Sequence, residues 1–261
     1  MRISLIVTTY NRPDALLLVL KSIQNQRVKP FEVIIADDGS DNVTKALIEK
    51  FALNTNLTII HSHQNDIGFR VSESRNKAIS IAKSEYIVLM DGDMVLHPEF
   101  INDHLINAEE GFYIQGSRVL LNQEKTQDVL ETQAIFFKAL DSGLKNRLNA
   151  IHSNYLSKLF LIRSSLLKGV RSCNMSFYRK DCINVNGFNS KFIGWGREDS
   201  EFIARLFNMG VGRKTLKFSA IQYHLWHDES NRKSLLDNDK LLKKTINENL
   251  KWCEIGINKF L

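Results

Sequence analysis

The chain has 261 residues, 43% of them hydrophobic, and a formal net charge of +6. This is enough apolar material for one large or two small domains. No apolar run approaches the roughly 20 residues of a membrane-spanning helix, and Met1 leads into RISLIVTT without a signal-peptide pattern, so we expect a cytoplasmic protein. The three cysteines are widely spaced and odd in number, which argues against a disulfide framework and a zinc site.

Strands and helices alternate along roughly the first hundred residues. Short β-rich runs predict four buried strands, RISLIVTT, FEVIIADD, LTIIHS and EYIVLM. Helical periodicity predicts three helices between them, RPDALLLVLKSIQNQ, NVTKALIEKFA and SESRNKAISIAK, and Pro13 and Asp14 suit the start of the first. Such alternation implies βαβ units and a mostly parallel sheet.

Polar clusters follow three of these predicted strands. TTYNR follows the first strand, DDGSD the second and DGD the fourth. In open sheets of this kind, ligands bind beyond the carboxyl ends of the strands. The three clusters should therefore meet at one crevice.

Asp91 and Asp93 stand one residue apart at the end of the fourth predicted strand. Hard divalent cations prefer oxygen ligands, and Mg²⁺ or Mn²⁺ commonly joins a protein carboxylate to phosphate oxygens. An aspartate-rich turn is weak support by itself, but its position opposite DDGS favours a metal and phosphate site.

The segment 138–171 is strongly basic, with seven basic residues against one acid. Its stretch YLSKLFLIRSSLLKGV has apolar residues at near-helical spacing, which predicts a basic amphipathic helix. A helical face packed on the core is the favoured interpretation, and an anionic membrane surface or anionic acceptor is the alternative. We expect no nucleic-acid partner, because no nucleic-acid module accompanies the charge.

The ordered motifs VTTYNR, ADDGSD, GFRVSESRNKAI and VLMDGDMV resemble the nucleotide-sugar half of inverting family-2 glycosyltransferases. GFRVSESRN is similar to bacterial chondroitin and hyaluronan synthase domains, and GFNSKFIGWGREDSEFIARL resembles the acceptor-side motif that these share with β-1,4-galactosyltransferases. The resemblance covers residues 1 to about 100 and 171 to about 228. It implies an α/β GT-A fold, a Rossmann-like mostly parallel sheet flanked by helices, with a helical insertion and a C-terminal helix.

The resemblance also implies which residues bind the donor. Thr9 and Tyr10 would frame the nucleotide base, and Asp38, with Asp37 as a second candidate, would accept hydrogen bonds from uracil or ribose. Arg75 and Arg70 would meet the base or diphosphate through their forked guanidinium groups. The ordinary alternatives stay open: Tyr10 as a turn aromatic, Arg75 as a surface helix residue and Asp38 as a helix cap.

By the same resemblance Asp93 is the direct metal ligand and Asp91 lies near the ribose or donor sugar. One carboxylate makes a poor metal site, and AIQYHLWHDES adds His224 and His227 at the HxxH spacing. Whether one or both bind stays open, as does a purely structural role. Imidazole suits Mn²⁺ better than Mg²⁺, so Mn²⁺ is the expected ion and Mg²⁺ the alternative.

GWGRED offers Glu198 and Asp199 at the start of a predicted helix, EDSEFIARLFNMG. The resemblance makes Asp199 the catalytic base and lets Glu198 orient donor or acceptor. The helix dipole is expected to lower the pKa of these carboxylates. Trp195 would offer a flat platform to the acceptor sugar, and Arg197, where galactosyltransferases have glycine, would suit an anionic acceptor. Trp195 as core and the acids as helix caps are the alternatives.

Taken together, the motifs predict a metal-dependent inverting glycosyltransferase. It would move a hexose or N-acetylhexosamine from a UDP-sugar to a saccharide or glycolipid acceptor, in bacterial capsule or lipopolysaccharide synthesis, with a peripheral contact at the inner membrane face. The alternatives are a non-catalytic nucleotide-sugar binding module and a sugar nucleotidyltransferase, although TTYNRPDA lacks the latter's glycine-rich basic loop. We expect a nucleotide-sugar half at 1–116, an acceptor and catalytic-base half at 117–234 and a helical tail at 235–261.

Overall fold

Strands and helices alternate through most of the chain in a computed structural model that describes residues 1–228 and 231–261. In these residues the strands are β1 Ile3–Thr9, β2 Glu32–Asp37, β3 Ile59–His63, β4 Tyr86–Asp91, β5 Met94–Leu96, β6 Phe112–Gln115, β7 Ser117–Leu121, β8 Leu144–Lys145, β9 Ile162–Ser164, β10 Asn174–Tyr178, β11 Gly212–Thr215 and β12 Ile221–His224. The α-helices are α1 Pro13–Gln24, α2 Asn42–Leu53, α3 Val71–Ser80, α4 Phe100–Asn107, α5 Gln123–Thr132, α6 Asn154–Leu159, α7 Arg179–Asn184, α8 Glu198–Asn208 and α9 Leu235–Asn247. Arg147–Ala150 and Ile257–Lys259 form 3₁₀ turns.

The main sheet has eight strands in the order β3-β2-β1-β4-β10-β6-β11-β9. Strands β3, β2, β1 and β4 are parallel, as predicted, and β10 joins this half antiparallel to β4. Because β1 lies between β2 and β4, the chain leaves β1 towards one side and later returns on the other. That switch point opens a crevice at the carboxyl ends of these strands.

Both faces of the parallel strands are buried, which explains their nearly continuous apolar sequences. In β1, Leu5 and Val7 pack with one cluster that includes α1, whereas Ile6 faces a second cluster formed with α3 and α8. The same alternation runs through β2 and β4. Helices therefore cover both faces, and the fixed sheet positions the loops at its carboxyl edge.

A second sheet, in the order β5-β12-β7-β8, holds the end of the DGD turn in place. Strand β5 begins one residue after Asp93 and pairs with β12, so that Met94 lies opposite His224. Strand β7 then pairs in parallel with the other side of β12. The pairing of β5 with β12 brings two motifs that lie 130 residues apart in sequence into direct register.

The basic segment 138–171 differs from its prediction. Helix α6 covers only Asn154–Leu159, and Ile162–Ser164 forms β9 at the edge of the main sheet. Several of its large apolar side chains point to solvent, including Leu159 (66% exposed) and Leu166 (68%). The predicted continuous amphipathic helix is therefore wrong beyond Leu159, because the apolar spacing is not buried as a helical face.

The predicted C-terminal helix is confirmed as α9, which packs on α8. Strand β5, from the first proposed segment, shares a sheet with β7 and β12 from the second, so 1–116 and 117–234 are not separate structural units. Among the described residues, none of the helices has both the length and the apolar character needed to cross a bilayer.

Candidate functional site

The polar clusters after β1, β2 and β4 meet at the carboxyl edge of the main sheet, as the sequence predicts. Thr8 Oγ1 donates to Asp91 Oδ1 at 2.9 Å, and the Asp38 amide donates to the Thr9 carbonyl at 3.0 Å. The Gly92 amide donates to the Thr8 carbonyl at 2.7 Å, and a Cβ on Gly92 would lie 2.7 Å from that same oxygen. Glycine between the two aspartates is therefore required by the close approach of β1.

The predicted base-binding corner contains Tyr10 and Asp38. Tyr10 is 48% exposed and its hydroxyl donates to Asp66 Oδ2 at 3.0 Å, so the ring is tethered while about half of the residue faces solvent. Asp38 accepts hydrogen bonds from the Arg70 amide at 2.8 Å and from Gln64 Nε2 at 2.5 Å. Burial raises the pKa of Asp38 to about 6 in spite of these donors.

Two donor-side residues take more specific positions than the sequence indicated. Asp38 does not cap α2, since Asp41 accepts from Val43 and Thr44 at that helix start. Thr9 is buried and its hydroxyl oxygen has no partner among the described residues. Its hydroxyl therefore keeps unused hydrogen-bonding capacity beside the Asp38 loop.

Asp37 is fully buried and bonded within the protein. Its Oδ1 accepts from the Ser40 amide at 2.8 Å, and its Oδ2 lies 2.8 Å from His61 Nε2. Although burial opposes ionisation, the hydrogen bonds from His61 and Ser40 hold the pKa of Asp37 below its ordinary value. In this structure Asp37 shapes the turn after β2, and its role as a second donor contact stays a prediction.

Asp93, His224 and His227 form a compact group beside the DGD turn. His227 Nε2 lies 3.2 Å and His224 Nε2 3.5 Å from Asp93 Oδ2, and one candidate ligand atom from each residue lies within 4.8 Å of the others. Asp93 Oδ1 is buried without a partner among the described residues. Although burial opposes ionisation, hydrogen bonds from the two histidines hold the pKa of Asp93 well below its usual range.

This group fits a divalent ion. Metal–ligand distances of about 2.0–2.2 Å place neighbouring donor atoms about 3 Å apart, close to the separations seen here. One carboxylate and two imidazoles suit Mn²⁺ better than Mg²⁺. Three protein ligands would also leave coordination positions free for a bound molecule.

Arg75 connects the DGD turn to the start of α8. Its guanidinium is only 3% exposed and pairs with Glu198 Oε1 at 3.2 Å and with Asp91 Oδ1 at 3.4 Å. A further hydrogen bond runs from Arg75 Nη2 to Ser172 Oγ at 2.9 Å. Arg75 is thus a buried link between β4 and α8, which excludes the surface-residue interpretation.

Glu198 and Asp199 form the first turn of α8. Glu198 Oε2 is buried without a partner in the described part of the chain, and Asp199 accepts hydrogen bonds from the amides of Ser172 (3.3 Å) and Ser200 (2.6 Å). Burial, followed by the charge of Asp199, raises the pKa of Glu198, and burial also raises the pKa of Asp199. The expectation that the helix dipole lowers these pKa values is therefore wrong, because desolvation outweighs it.

The GWGRED loop is held against α9. Asn238 Nδ2 donates to the Gly196 carbonyl at 2.9 Å, and Arg197 Nε donates to Asp239 Oδ1 at 2.5 Å. Arg197 has φ +75°, a left-handed conformation that glycine adopts without strain. Trp195 is 39% exposed, which excludes the core interpretation, whereas the Arg197 charge is already paired.

The structure adds residues that the sequence did not single out. Ser172 joins Arg75 to Asp199, while Gln64 holds Asp38 and Asp66 holds Tyr10. A signal for Ser172 would have been its place two residues before the NMSF strand, but single polar residues of this kind are too common to choose among. These contacts depend on tertiary packing.

Comparisons with known proteins agree with this geometry. Residues 4–171 match the family Glycosyl transferase family 2, and residues 163–228 match the family described as N-terminal domain of galactosyltransferase. Hyaluronan synthase of Pasteurella multocida is 29% identical over 239 residues, which cover 85% of this chain and 24% of that protein. Chondroitin synthase of Escherichia coli is 25% identical over 238 residues, 85% of this chain and 34% of that protein.

The fold also matches solved structures. The crystal structure of S. aureus TarS 1-349 in complex with UDP-GlcNAc superposes with a TM-score of 0.64 at 17% identity, covering 100% of this chain and 69% of that one. The chain thus shares the GT-A-like fold, and it spans about a quarter to a third of the length of the two synthases. Since the family match covers more than half of the residues, the chain belongs to glycosyl transferase family 2.

Proposed function

We propose that this chain transfers a hexose or N-acetylhexosamine from a UDP-sugar to a saccharide hydroxyl, with inversion, during synthesis of a bacterial capsule or lipopolysaccharide. The observation that carries the proposal is the meeting of the Asp93 group and the Arg75, Glu198 and Asp199 group at one sheet edge. Two relatives are named as polysaccharide synthases, and TarS binds UDP-GlcNAc, which supports a UDP-sugar donor.

Asp93, His224 and His227 would hold a divalent ion, Mn²⁺ by preference and Mg²⁺ as the alternative. When bound, such an ion supplies positive charge that stabilises the negative charge growing on the leaving diphosphate. The partnerless Asp93 Oδ1 gives the group a further oxygen that the protein itself does not use. Both histidines belong to the proposed ligand set, because both Nε2 atoms face the same carboxylate oxygen.

The donor nucleotide would lie against Thr9, Tyr10, Asp38 and Arg70. The exposed part of Tyr10 offers a stacking surface for the base, and Asp38 offers an acceptor for uracil or ribose. Arg70 has a buried Nε without a partner among described residues, so this atom keeps a free donor for the nucleotide. Asp91 would meet the ribose or donor sugar beside Arg75.

Asp199 would take the proton from the attacking acceptor hydroxyl. Hydrogen bonds from two backbone amides fix the direction of this carboxylate, and its raised pKa makes it a stronger base than an exposed aspartate. Glu198, bonded to Arg75, would orient the sugars, and Trp195 would support the acceptor. The presence of this acid pair favours an enzyme over a non-catalytic binding module.

We keep the three predicted segments as a proposal about function, with a separate role for each segment. Residues 1–116 would bind the nucleotide-sugar and 117–234 would supply the base and acceptor site. In residues 235–261, α9 supports the GWGRED loop through Asn238 and Asp239.

A peripheral membrane contact is part of the proposal. The segment 136–166 exposes many large apolar side chains among its lysines and arginines, as expected for a surface that meets anionic lipid. They are Phe136, Leu140, Leu148, Ile151, Tyr155, Leu159, Phe160, Ile162 and Leu166. Flotation with phosphatidylglycerol vesicles tests the contact, and equal flotation with uncharged phosphatidylcholine vesicles would contradict the charge argument.

Release of free UDP from a panel of UDP-sugars tests the donor site. Wild type should release UDP from one donor with Mn²⁺ and lose this activity with a chelator. Asp93→Ala should lose it at every Mn²⁺ concentration, whereas Asp128→Ala, which removes an exposed carboxylate paired with Lys125, should behave like wild type. Mn²⁺-dependent release that survives in Asp93→Ala would exclude Asp93 as a ligand.

A further inference from the structure

A cavity of about 250 Å³ lies beside the β6–β7 turn and is lined by cations. Arg118, Lys168, Arg171, Arg213 and Lys217 line it, together with neutral residues of the β6–β7 turn and the end of β11. No aspartate or glutamate is among the lining residues. One water needs only about 10–15 Å³ of such space, so the cavity can hold a group much larger than one water.

The cations of this cavity lack carboxylate partners. Within residues 1–228 and 231–261, none of the five forms an ion pair with an aspartate or glutamate. The nearby cations outside the cavity behave differently: Lys214 and Arg163 both pair with Glu109, at 3.0 and 2.8 Å. The five positive charges that line the cavity are thus not neutralised by a carboxylate of the described residues.

Neutral groups hold two of these residues in place, through the Arg213 side chain and the Arg171 backbone. Arg213 is 8% exposed, and its guanidinium donates to the Lys168 carbonyl at 3.0 Å and to Ser164 Oγ at 3.2 Å. Gln115 holds the Arg171 backbone on both sides, accepting from its amide and donating to its carbonyl, each at 3.0 Å. These contacts fix the two arginines but leave their positive charge without a counter-charge. Such an arrangement suits the binding of an oxyanion.

Ser172 and Cys173 connect the cavity to the proposed base, Asp199. Arg171 precedes Ser172, which bonds to both Arg75 and Asp199. Arg118 Nη1 lies 3.9 Å from the sulfur of Cys173, the next residue in the chain. The proposed diphosphate site at Asp93, His224 and His227 shares no residue with the cavity lining, so we assign an occupant of the cavity to the acceptor.

We propose that this cavity binds an anionic group of the acceptor saccharide, a carboxylate or a phosphate, on a unit next to the one that is glycosylated. The inference rests on the proposed function, because it assigns the occupant to the acceptor. The paired charge of Arg197 makes it a poorer site for such an anion than the cavity.

Binding of matched probes tests the inference without requiring turnover. Titration calorimetry compares methyl β-glucuronide with methyl β-glucoside, and glycerol phosphate with glycerol. The variant Lys168→Ala/Lys217→Ala removes two exposed cavity lysines, and Lys50→Ala/Lys83→Ala removes two exposed lysines that do not line it. Thermal unfolding of both variants checks the fold.

Wild type and Lys50→Ala/Lys83→Ala should bind one charged probe more tightly than its neutral counterpart, and Lys168→Ala/Lys217→Ala should bind it about tenfold more weakly. The stronger of the two charged probes identifies carboxylate or phosphate. Charged and neutral probes binding alike, or equal binding by both variants, would overturn the inference. Mn²⁺-dependent UDP release by wild type is measured separately, so a failure of the donor site is distinguished from a failure of the cavity.

Discussion

Helix α8 carries two groups of buried charge that differ in how completely they are bonded. Midway along the helix, Arg205 and Glu201 are both at most 1% exposed and form two hydrogen bonds of 2.9 and 2.8 Å. The remaining Arg205 nitrogen donates to the Val185 carbonyl, and Thr245 Oγ1 of α9 donates to Glu201 at 3.0 Å. Each guanidinium nitrogen and each carboxylate oxygen of this group has a hydrogen-bond partner.

The group at the amino end of α8 is incompletely bonded. Glu198 Oε2 and Arg75 Nε are buried without partners in the described residues, and the Arg75 to Asp91 contact is long at 3.4 Å. Leaving buried polar atoms unpaired costs stability, and a ligand that bonds to them would offset this cost. The comparison teaches that spare hydrogen-bonding capacity, more than buried charge, distinguishes the proposed site from a structural ion pair.

The largest effect is expected from Asp199→Asn. Loss of the proposed base should lower kcat for transfer by about 10²- to 10⁴-fold, because the amide cannot accept the acceptor proton. The amides of Ser172 and Ser200 can still bond to the new side chain, so the fold and the affinity for UDP should be kept. Steady-state transfer and UDP titration measure both, and an unchanged kcat would exclude Asp199 as the base.

Arg205→Met should break the fully bonded group. It leaves the Glu201 carboxylate buried without its counter-charge, and we expect a loss of about 3–5 kcal/mol in the free energy of unfolding. The double change Arg205→Met/Glu201→Leu should recover most of this loss, since no lone charge remains. Urea denaturation measures both.

The surface provides a matched control for this experiment. Lys240 and Asp237 pair at 2.8 Å on α9, but both side chains are nearly 80% exposed. Lys240→Met should therefore leave the free energy of unfolding nearly unchanged. A similar loss in the two single variants would show that burial is not the source of the Arg205 effect.

The polar clusters at the carboxyl edge of the main sheet were predictable because short stretches of sequence define the strands that carry them. Each parallel strand is an apolar run ending in polar residues, so the meeting of Thr8, Asp38 and Asp91 follows from the topology alone. The HxxH spacing likewise placed His224 and His227 near each other, and pairing of β12 with β5 brought them to Asp93. The resemblance added the roles that spacing does not define.

The acceptor side was less predictable because it depends on distant contacts. Strand β9 exists only through its pairing with β11, about fifty residues later, and its sequence reads as part of a helix. The pKa values of Glu198 and Asp199 follow from burial under Arg75 and Ser172, which no helix position reveals. The cation-lined cavity joins four separate segments and has no sequence motif.

Glu198→Gln tests the incompletely bonded group through the pH dependence of stability. The pKa of Glu198 is raised in the folded protein above its unfolded value of about 4.3, so the folded state binds more protons between these two pKa values. The free energy of unfolding of wild type therefore falls as pH rises through this window, and glutamine removes that loss. Glu198→Gln should be more stable than wild type by about 1 kcal/mol at pH 8 and equal to it near pH 4.5.

Urea denaturation at both pH values measures this difference in stability. Glu131→Gln, at an exposed position, is the control and should show no such difference. If Glu198→Gln were less stable at pH 8, the Arg75 pairing would outweigh the burial of the charge, and the two groups on α8 would be alike.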